Sequence, residues 1–213
     1  MSAPFTLPGS GDRPNPLDTG VGANEPENWF YMLKDDHVTS GDTLDPSKYP
    51  YDHDSVADLS DNCKQEFGLT CSGTQESKLL ADGWKIELEQ ADGEKALSRP
   101  ITLNGMIFFT SYMPPSGSGG NACGPDEGSG LTYALNLQDA TAVIDNNLSN
   151  SVTTPTGDVI VLQAGDRFRD AGAGIPSDVI AIRKGGGLHV ITPGDNYTTP
   201  ISTNAGYKTF WYV

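Results

Sequence analysis

Basic residues are scarce. The chain carries 13 Lys and Arg against 28 Asp and Glu, a formal net charge of −15 over 213 residues. No basic stripe or run appears, and phosphate backbones and anionic lipids are held by clustered Lys and Arg. Nucleic acid and anionic membrane surfaces are therefore excluded as partners. Long apolar runs are also missing, and none approaches the ~18 residues of a membrane-spanning helix. The opening residues, MSAPFTLPGSGDRPNP, hold neither the basic nor the apolar segment of a secretory signal. The expectation is a cytoplasmic chain, or part of a protein whose targeting segment lies elsewhere.

Histidine and cysteine are equally sparse. None of His37, His53 and His189 sits in a metal-binding spacing such as H-E-x-x-H. Cys63, Cys71 and Cys123 form no C-x-x-C pair, which argues against a zinc or thioredoxin-like site. Cys63 and Cys71 share one polar stretch, where a local disulfide is geometrically easy. Cys123 is then left over, either free or paired outside this sequence. Three reduced thiols are the alternative.

No catalytic constellation emerges. Gly128-Ser129-Gly130 lacks the G-x-S-x-G frame of a nucleophile elbow. Residues Gly172 to Ser177 and Gly9 to Pro14 are Gly-containing but open no expected helix, so neither reads as a phosphate loop. The best metal candidate is DHDSVADLSD, with Asp52, Asp54, Asp58 and Asp61. Its D-x-D start fits a calcium loop. Val56 then stands at a ligand place and Ala57 at the place of the glycine, so the pattern fails twice. A solvated acidic loop is the expectation.

What is abundant is turn chemistry: 25 Gly and 15 Pro, with 36% hydrophobic residues. This composition predicts an all-β chain of short strands and long loops, a single domain over residues 1–213. WFYMLKD from Trp29 reads as a buried strand. Residues 36–78 read as a long acidic surface excursion, with a short helical turn around DSVADLSD. GWKIELE alternates, with Trp84, Ile86 and Leu88 on one face. A D-G turn leads to ALSRPITLN, where Pro100 marks an edge, bulge or bend. Asn104-Gly105 is a strong hairpin signal before MIFFTSYM. LTYALNL and ATAVIDN follow, with a tight turn between them. These strands predict an antiparallel meander, which fits a propeller blade, a sandwich or a barrel. GDVIVLQAG reads as a further strand, DRFRDAGAGIPSD as a loop, and VIAIRKGGGLHVITPGD as a hairpin turned at Gly185 to Gly187. GYKTFWYV reads as a terminal aromatic strand that needs a partner.

Several short motifs occur in order: GSGDRPNP, FYMLKD, ADLSD, GWKIELEQADGEKALSRPITLNGMIFFTSYMP, ACGPDEGSGLTYALNL, GAGIPSDVIAI and YKTFWYV. Together they resemble the C-terminal region of the PilY/PilC family of type IV pilus tip-associated adhesins. The resemblance runs from about Gly9 to the end. It implies a β-propeller of quinoprotein-dehydrogenase-like shape, of which this chain holds the last blades. It also implies a non-enzymatic role at the pilus tip or cell surface, in pilus biogenesis, surface adhesion and twitching motility. The implied partners are pilins or minor pilins, host or abiotic surfaces, and an upstream region or another chain that completes the propeller. The family's calcium loop is not matched here, and no Arg-Gly-Asp tripeptide is present, so neither calcium nor integrin binding is carried over. In an oxidising compartment Cys123 is expected to pin the loop that carries it, with Cys63, Cys71 or an absent cysteine as partner. Exposed Tyr49 and Tyr51 are candidate contacts, and Tyr112 is a candidate for the core. The competing functional readings are a quinone-dependent dehydrogenase, which needs a cofactor pocket and calcium, and a structural subunit completed by another chain.

Overall fold

The structure is a computed structural model that describes residues 5–19, 27–35, 52–115, 127–146, 152–153, 159–160, 162–184, 187–193 and 195–201. Three antiparallel-rich sheets pack face on face. The first has the order β1-β2-β4-β3, formed by β1 (Phe5–Thr6), β2 (Trp29–Lys34), β3 (Ala57–Asp58) and β4 (Gly83–Glu87). Only β3 runs parallel to its neighbour, β4. The central sheet has the order β11-β8-β7-β5, with β6 also on β7. Its strands are β5 (Lys95–Ala96), β6 (Ile101–Leu103), β7 (Met106–Met113), β8 (Ser129–Asn136) and β11 (Phe168–Ala173). The third sheet is a meander of β12 (Ile180–Lys184), β13 (Gly187–Thr192) and β14 (Asp195–Ile201). A small hairpin joins β9 (Val152–Thr153) and β10 (Val159–Ile160).

Period-two alternation assigns the faces. Phe30 and Met32 of β2 and Trp84 and Ile86 of β4 meet Ile107 and Phe109 of β7 and Leu131, Tyr133 and Leu135 of β8 in one buried cluster. The intervening Phe108 and Ala134 point to the opposite face, where they meet Val179 and Val190. The central sheet is thus covered on both sides. This is why β7 and β8 are buried almost throughout, on both faces.

Several expectations hold. The chain is all-β apart from one α-helix among the described residues. Asn104 and Gly105, at φ of 50° and 77°, turn β6 into β7 as a primed two-residue hairpin requires. β12 and β13 form the expected hairpin. Pro100 interrupts the strand as expected, and Ser98 repairs the gap. The Thr110 N–H donates to Ser98 Oγ at 2.6 Å, and Ser98 Oγ donates back to the Thr110 carbonyl at 3.1 Å.

Other expectations are corrected. GWKIELE is not the first strand of the meander. The turn at Asp92-Gly93 passes the chain from the first sheet to the central one instead of closing a hairpin. ATAVIDN contributes only an isolated bridge, Leu135 to Ala142. The place beside β8 is taken by β11, in the stretch read as a loop. The described part of 36–78 is not an excursion. Val56, Ala57, Leu59 and Cys63 lie in the core. The helix α1 (Gly73–Ala81) starts in a capping box formed by Ser72 and Gln75. No closed ring is formed by the described sheets. GYKTFWYV lies outside the described residues, as does most of the loop after β7.

Candidate functional site: a buried seam between two sheets

Aromatic rings cross from the first sheet to the central one. Trp84 lies 6.2 Å from Phe30, centroid to centroid. Phe30 stacks on Phe109 at 3.8 Å, and Phe109 on Tyr133 at 4.6 Å, with ring planes within 5° of parallel. Phe168 closes the column at 5.5 Å from Tyr133. Such pairs add stabilisation beyond their buried area. Each sheet alone would leave half of this column in water, so the column also fixes which faces meet.

The column ends on a carboxylate. Glu94 follows the Asp92-Gly93 turn and is fully buried. It accepts hydrogen bonds from Tyr133 Oη at 2.8 Å, from the Gln90 N–H at 2.8 Å and from Ser111 Oγ. Burial pushes its pKa up from 4.5. The three hydrogen bonds oppose that shift, and Glu89 adds to it. Burial, then the neighbouring Glu94 charge, pushes the Tyr133 phenol well above its ordinary range. Folding therefore favours protonated Glu94. That contribution is fully present below the ordinary carboxylate range and is lost as pH rises through the folded value. Relative to Glu94→Gln, the native chain should lose thermal stability as pH rises above the ordinary carboxylate range. Parallel melting-temperature curves for the two proteins would refute the buried-charge account.

The GSGD motif seals the other side of the seam. Segment 5–10 pairs along β2, and the Ala96 N–H of β5 donates to the Ser10 carbonyl at 3.1 Å. A Cβ on Gly9 would meet the Ala96 Cβ at 2.5 Å, and one on Gly11 would meet the Lys95 Cβ at 2.7 Å. Only glycine permits so close a backbone approach. Lys95 is itself buried and donates to the carbonyls of Gly93, at 3.0 Å, and Asp18. Burial lowers its pKa, and Asp18 and Asp12 oppose that shift. The motif is therefore a packing device around an internal ammonium, not a phosphate loop.

A cleft of about 250 Å³ opens beside the column, lined by Ser60, Glu87, Glu89, Tyr133, Arg167 and Phe168. The Arg167 guanidinium donates to the Leu59 carbonyl at 2.8 Å, the Ser60 carbonyl at 3.1 Å and Asn62 Oδ1 at 3.0 Å. Its burial brings its acidity constant down to about 10. Glu87 is pushed up, first by desolvation and then by Glu89, Glu27 and Asp58. An acidic rim of this kind repels anions. A larger cleft of about 550 Å³ lies at α1, between Phe5, Met32, Leu79, Leu80 and Leu137.

The fold has a counterpart among solved structures. The crystal structure of the Pseudomonas aeruginosa PilY1 C-terminal domain aligns with a TM-score of 0.50, at 12% identity, over 91% of this chain. The chain is similar in fold to part of that domain. It spans 41% of the PilY1 C-terminal domain chain. No protein-family model and no curated protein matches the sequence. At this identity the likeness to PilY1 speaks for architecture, and the chemistry must be read from the side chains of this chain.

Those side chains place the sequence candidates as follows. Cys63 and Cys71 are joined in a disulfide with Cα atoms 4.9 Å apart, so neither remains for Cys123. Cys123, His37, Tyr49 and Tyr51 lie outside the described residues. The four aspartates do not converge. Asp52 accepts from the Asp54 N–H, Asp58 from Ser60 and Asp61 from the Cys63 N–H, while Asp54 lies 3.7 Å from Lys85 Nζ. No group of three or more His, Cys, Asp or Glu that could hold a metal occurs among the described residues. His53 packs edge-on to Trp29 at 4.8 Å and shares a hydrogen bond with Tyr31 Oη. Tyr112 is in the core and donates to the Glu127 carbonyl. Ser129 and Gly130 belong to β8, where Pro176 packs against Gly130. The sequence reading missed Glu94, Ser111, Tyr133 and Arg167. The one available signal was an acidic residue between a D-G turn and an apolar strand.

Proposed function

We propose that this chain is a non-enzymatic, type IV pilus-associated module that acts outside the cell in pilus biogenesis, surface adhesion and twitching motility. The observation that carries the reading is the fold likeness to the PilY1 C-terminal domain over 91% of the chain. The collinear motifs that resemble the PilY/PilC family support it. In this reading the three stacked sheets are blades of a propeller, and its remaining blades come from a longer protein or another chain. The partners are pilin or minor pilin subunits and the surface a pilus meets. Loops on a rigid β-scaffold are where such contacts are usually made. The seam keeps that scaffold rigid, and no cofactor takes part. The experiment is direct binding of the folded chain to purified type IV pilin subunits, with an unrelated acidic β-protein as control. Binding no stronger than the control's would sink the reading.

A further inference from the structure

We propose that the Cys63–Cys71 disulfide is a redox-gated clasp that holds the start of β11 and the segment after β8 against the first sheet. The disulfide closes a loop between residues eight apart. Cys63 is buried in the core, whereas Cys71 is only partly buried. The turn that leads into Cys63, together with the loop, is a polar socket for distant chain. Asn62 is fully buried in a left-handed conformation, φ 54°, which Asn tolerates better than most residues. This turn aligns Asn62 Oδ1 with the Leu59 and Ser60 carbonyls as a cradle for Arg167, the residue before β11.

Inside the disulfide loop, two side chains grip backbone. Gln65 receives the Ala142 N–H at 2.9 Å and donates to the Ala142 carbonyl at 3.1 Å. Glu66 Oε2 receives the Ala164 N–H at 3.0 Å. Each of these bonds joins residues far apart in sequence, and all leave the short stretch from Leu59 to Glu66. A stretch that supplies so many contacts must hold one conformation, and the disulfide restrains its C-terminal half directly and the adjoining Asn62 turn through Cys63.

Opening the clasp requires a dithiol reductant. One thiolate of the reductant attacks Cys71 Sγ, the more accessible sulfur, and the S–S bond breaks with Cys63 leaving and taking up a proton. The second thiol of the reductant then attacks the mixed disulfide and releases Cys71. The chain gains two electrons and two protons, and the reductant becomes a disulfide. The loop is then free to move, and its grip on residues 142, 164 and 167 is lost. Nothing in this device depends on the pilus reading.

The amides of Ala142 and Ala164 report on it directly, because their acceptors are loop side chains. Hydrogen exchange resolved by NMR is compared for the oxidised chain, the same chain after dithiothreitol, and the Cys63→Ser/Cys71→Ser double variant. The expected result is exchange about tenfold faster or more at Ala142, Ala164 and residues 167–170 in both opened forms. The β12–β13 amides should be unchanged. Faster exchange confined to 63–71 would overturn the proposal, because the loop would then not act at a distance. Loss of protection throughout, β12–β13 included, would overturn it as well, because the disulfide would then be a global staple.

Discussion

Phe109→Ala is expected to destabilise the chain by about 3–5 kcal/mol, measured as a shift in the urea midpoint at constant slope. Phe109 is the middle ring of the column, with Phe30 stacked on one side and Tyr133 on the other. It is fully buried, and it lies where the first and central sheets meet. Truncation removes the phenyl ring and both stacking contacts and leaves a cavity that two rigid sheets cannot collapse to fill. Domains of this size are stable by only about 5–15 kcal/mol, so the loss approaches the whole margin. Phe109→Leu keeps much of the volume and should cost less, about 1–2 kcal/mol. An alanine cost below about 1 kcal/mol would mean that the column does not hold the sheets together.

Gly83→Ala should be at least as damaging, about 3 kcal/mol or more, or should prevent folding. Gly83 follows α1 and opens β4, with φ at 112°, where a side chain is rarely tolerated. A Cβ there would stand 1.9 Å from the Met32 carbonyl oxygen. That oxygen cannot swing aside, because Met32 is registered opposite Trp84 and the Lys34 N–H is bonded to the Asp82 carbonyl at 3.0 Å. Gly68→Ala is the control. Its φ is also positive, at 86°, but nothing lies within 4 Å of the added Cβ. Only the conformational cost then applies, about 1 kcal/mol. Equal melting temperatures for the two variants would show that the close approach at Gly83 is not real.

The parts of the fold legible in the sequence are those where local chemistry and tertiary structure agree. The β6–β7 hairpin was legible because Asn104-Gly105 demands a primed turn and apolar runs flank it. The β12–β13 hairpin was legible from two strand-like runs around a glycine cluster. The β4–β5 connection was not. A D-G turn looks the same whether it closes a hairpin or passes the chain between sheets. What decides it is residues 5–10, which lie along β2 and pair with β5 through Ser10. β11 was missed because FRDAGA mixes charge with glycine, as edge strands do. α1 was missed because its one clear signal is the Ser72-to-Gln75 capping box, while only Leu79 is buried.

The seam was less legible than the fold. Trp84 was readable as core from its alternation, and Phe30 lay in a run that read as a buried strand. Glu94 and Arg167 were not, because in sequence a buried charge looks like a solvated one. Their roles come from partners remote in the chain, Tyr133 for Glu94 and the Leu59 carbonyl for Arg167. The GSGD motif was visible from the outset, yet its work, close packing on β5, could be seen only once β5 was in place.

Direct binding to pilin subunits tests the central functional claim most closely. The folded, oxidised chain is immobilised and titrated with purified minor and major pilins at physiological salt. The account predicts saturable binding to at least one of them, with a Kd of about 1 μM or tighter, and weaker binding for Phe109→Ala as the scaffold loosens. No binding to any pilin above that of an unrelated acidic β-protein, with the chain shown to be folded, would contradict it.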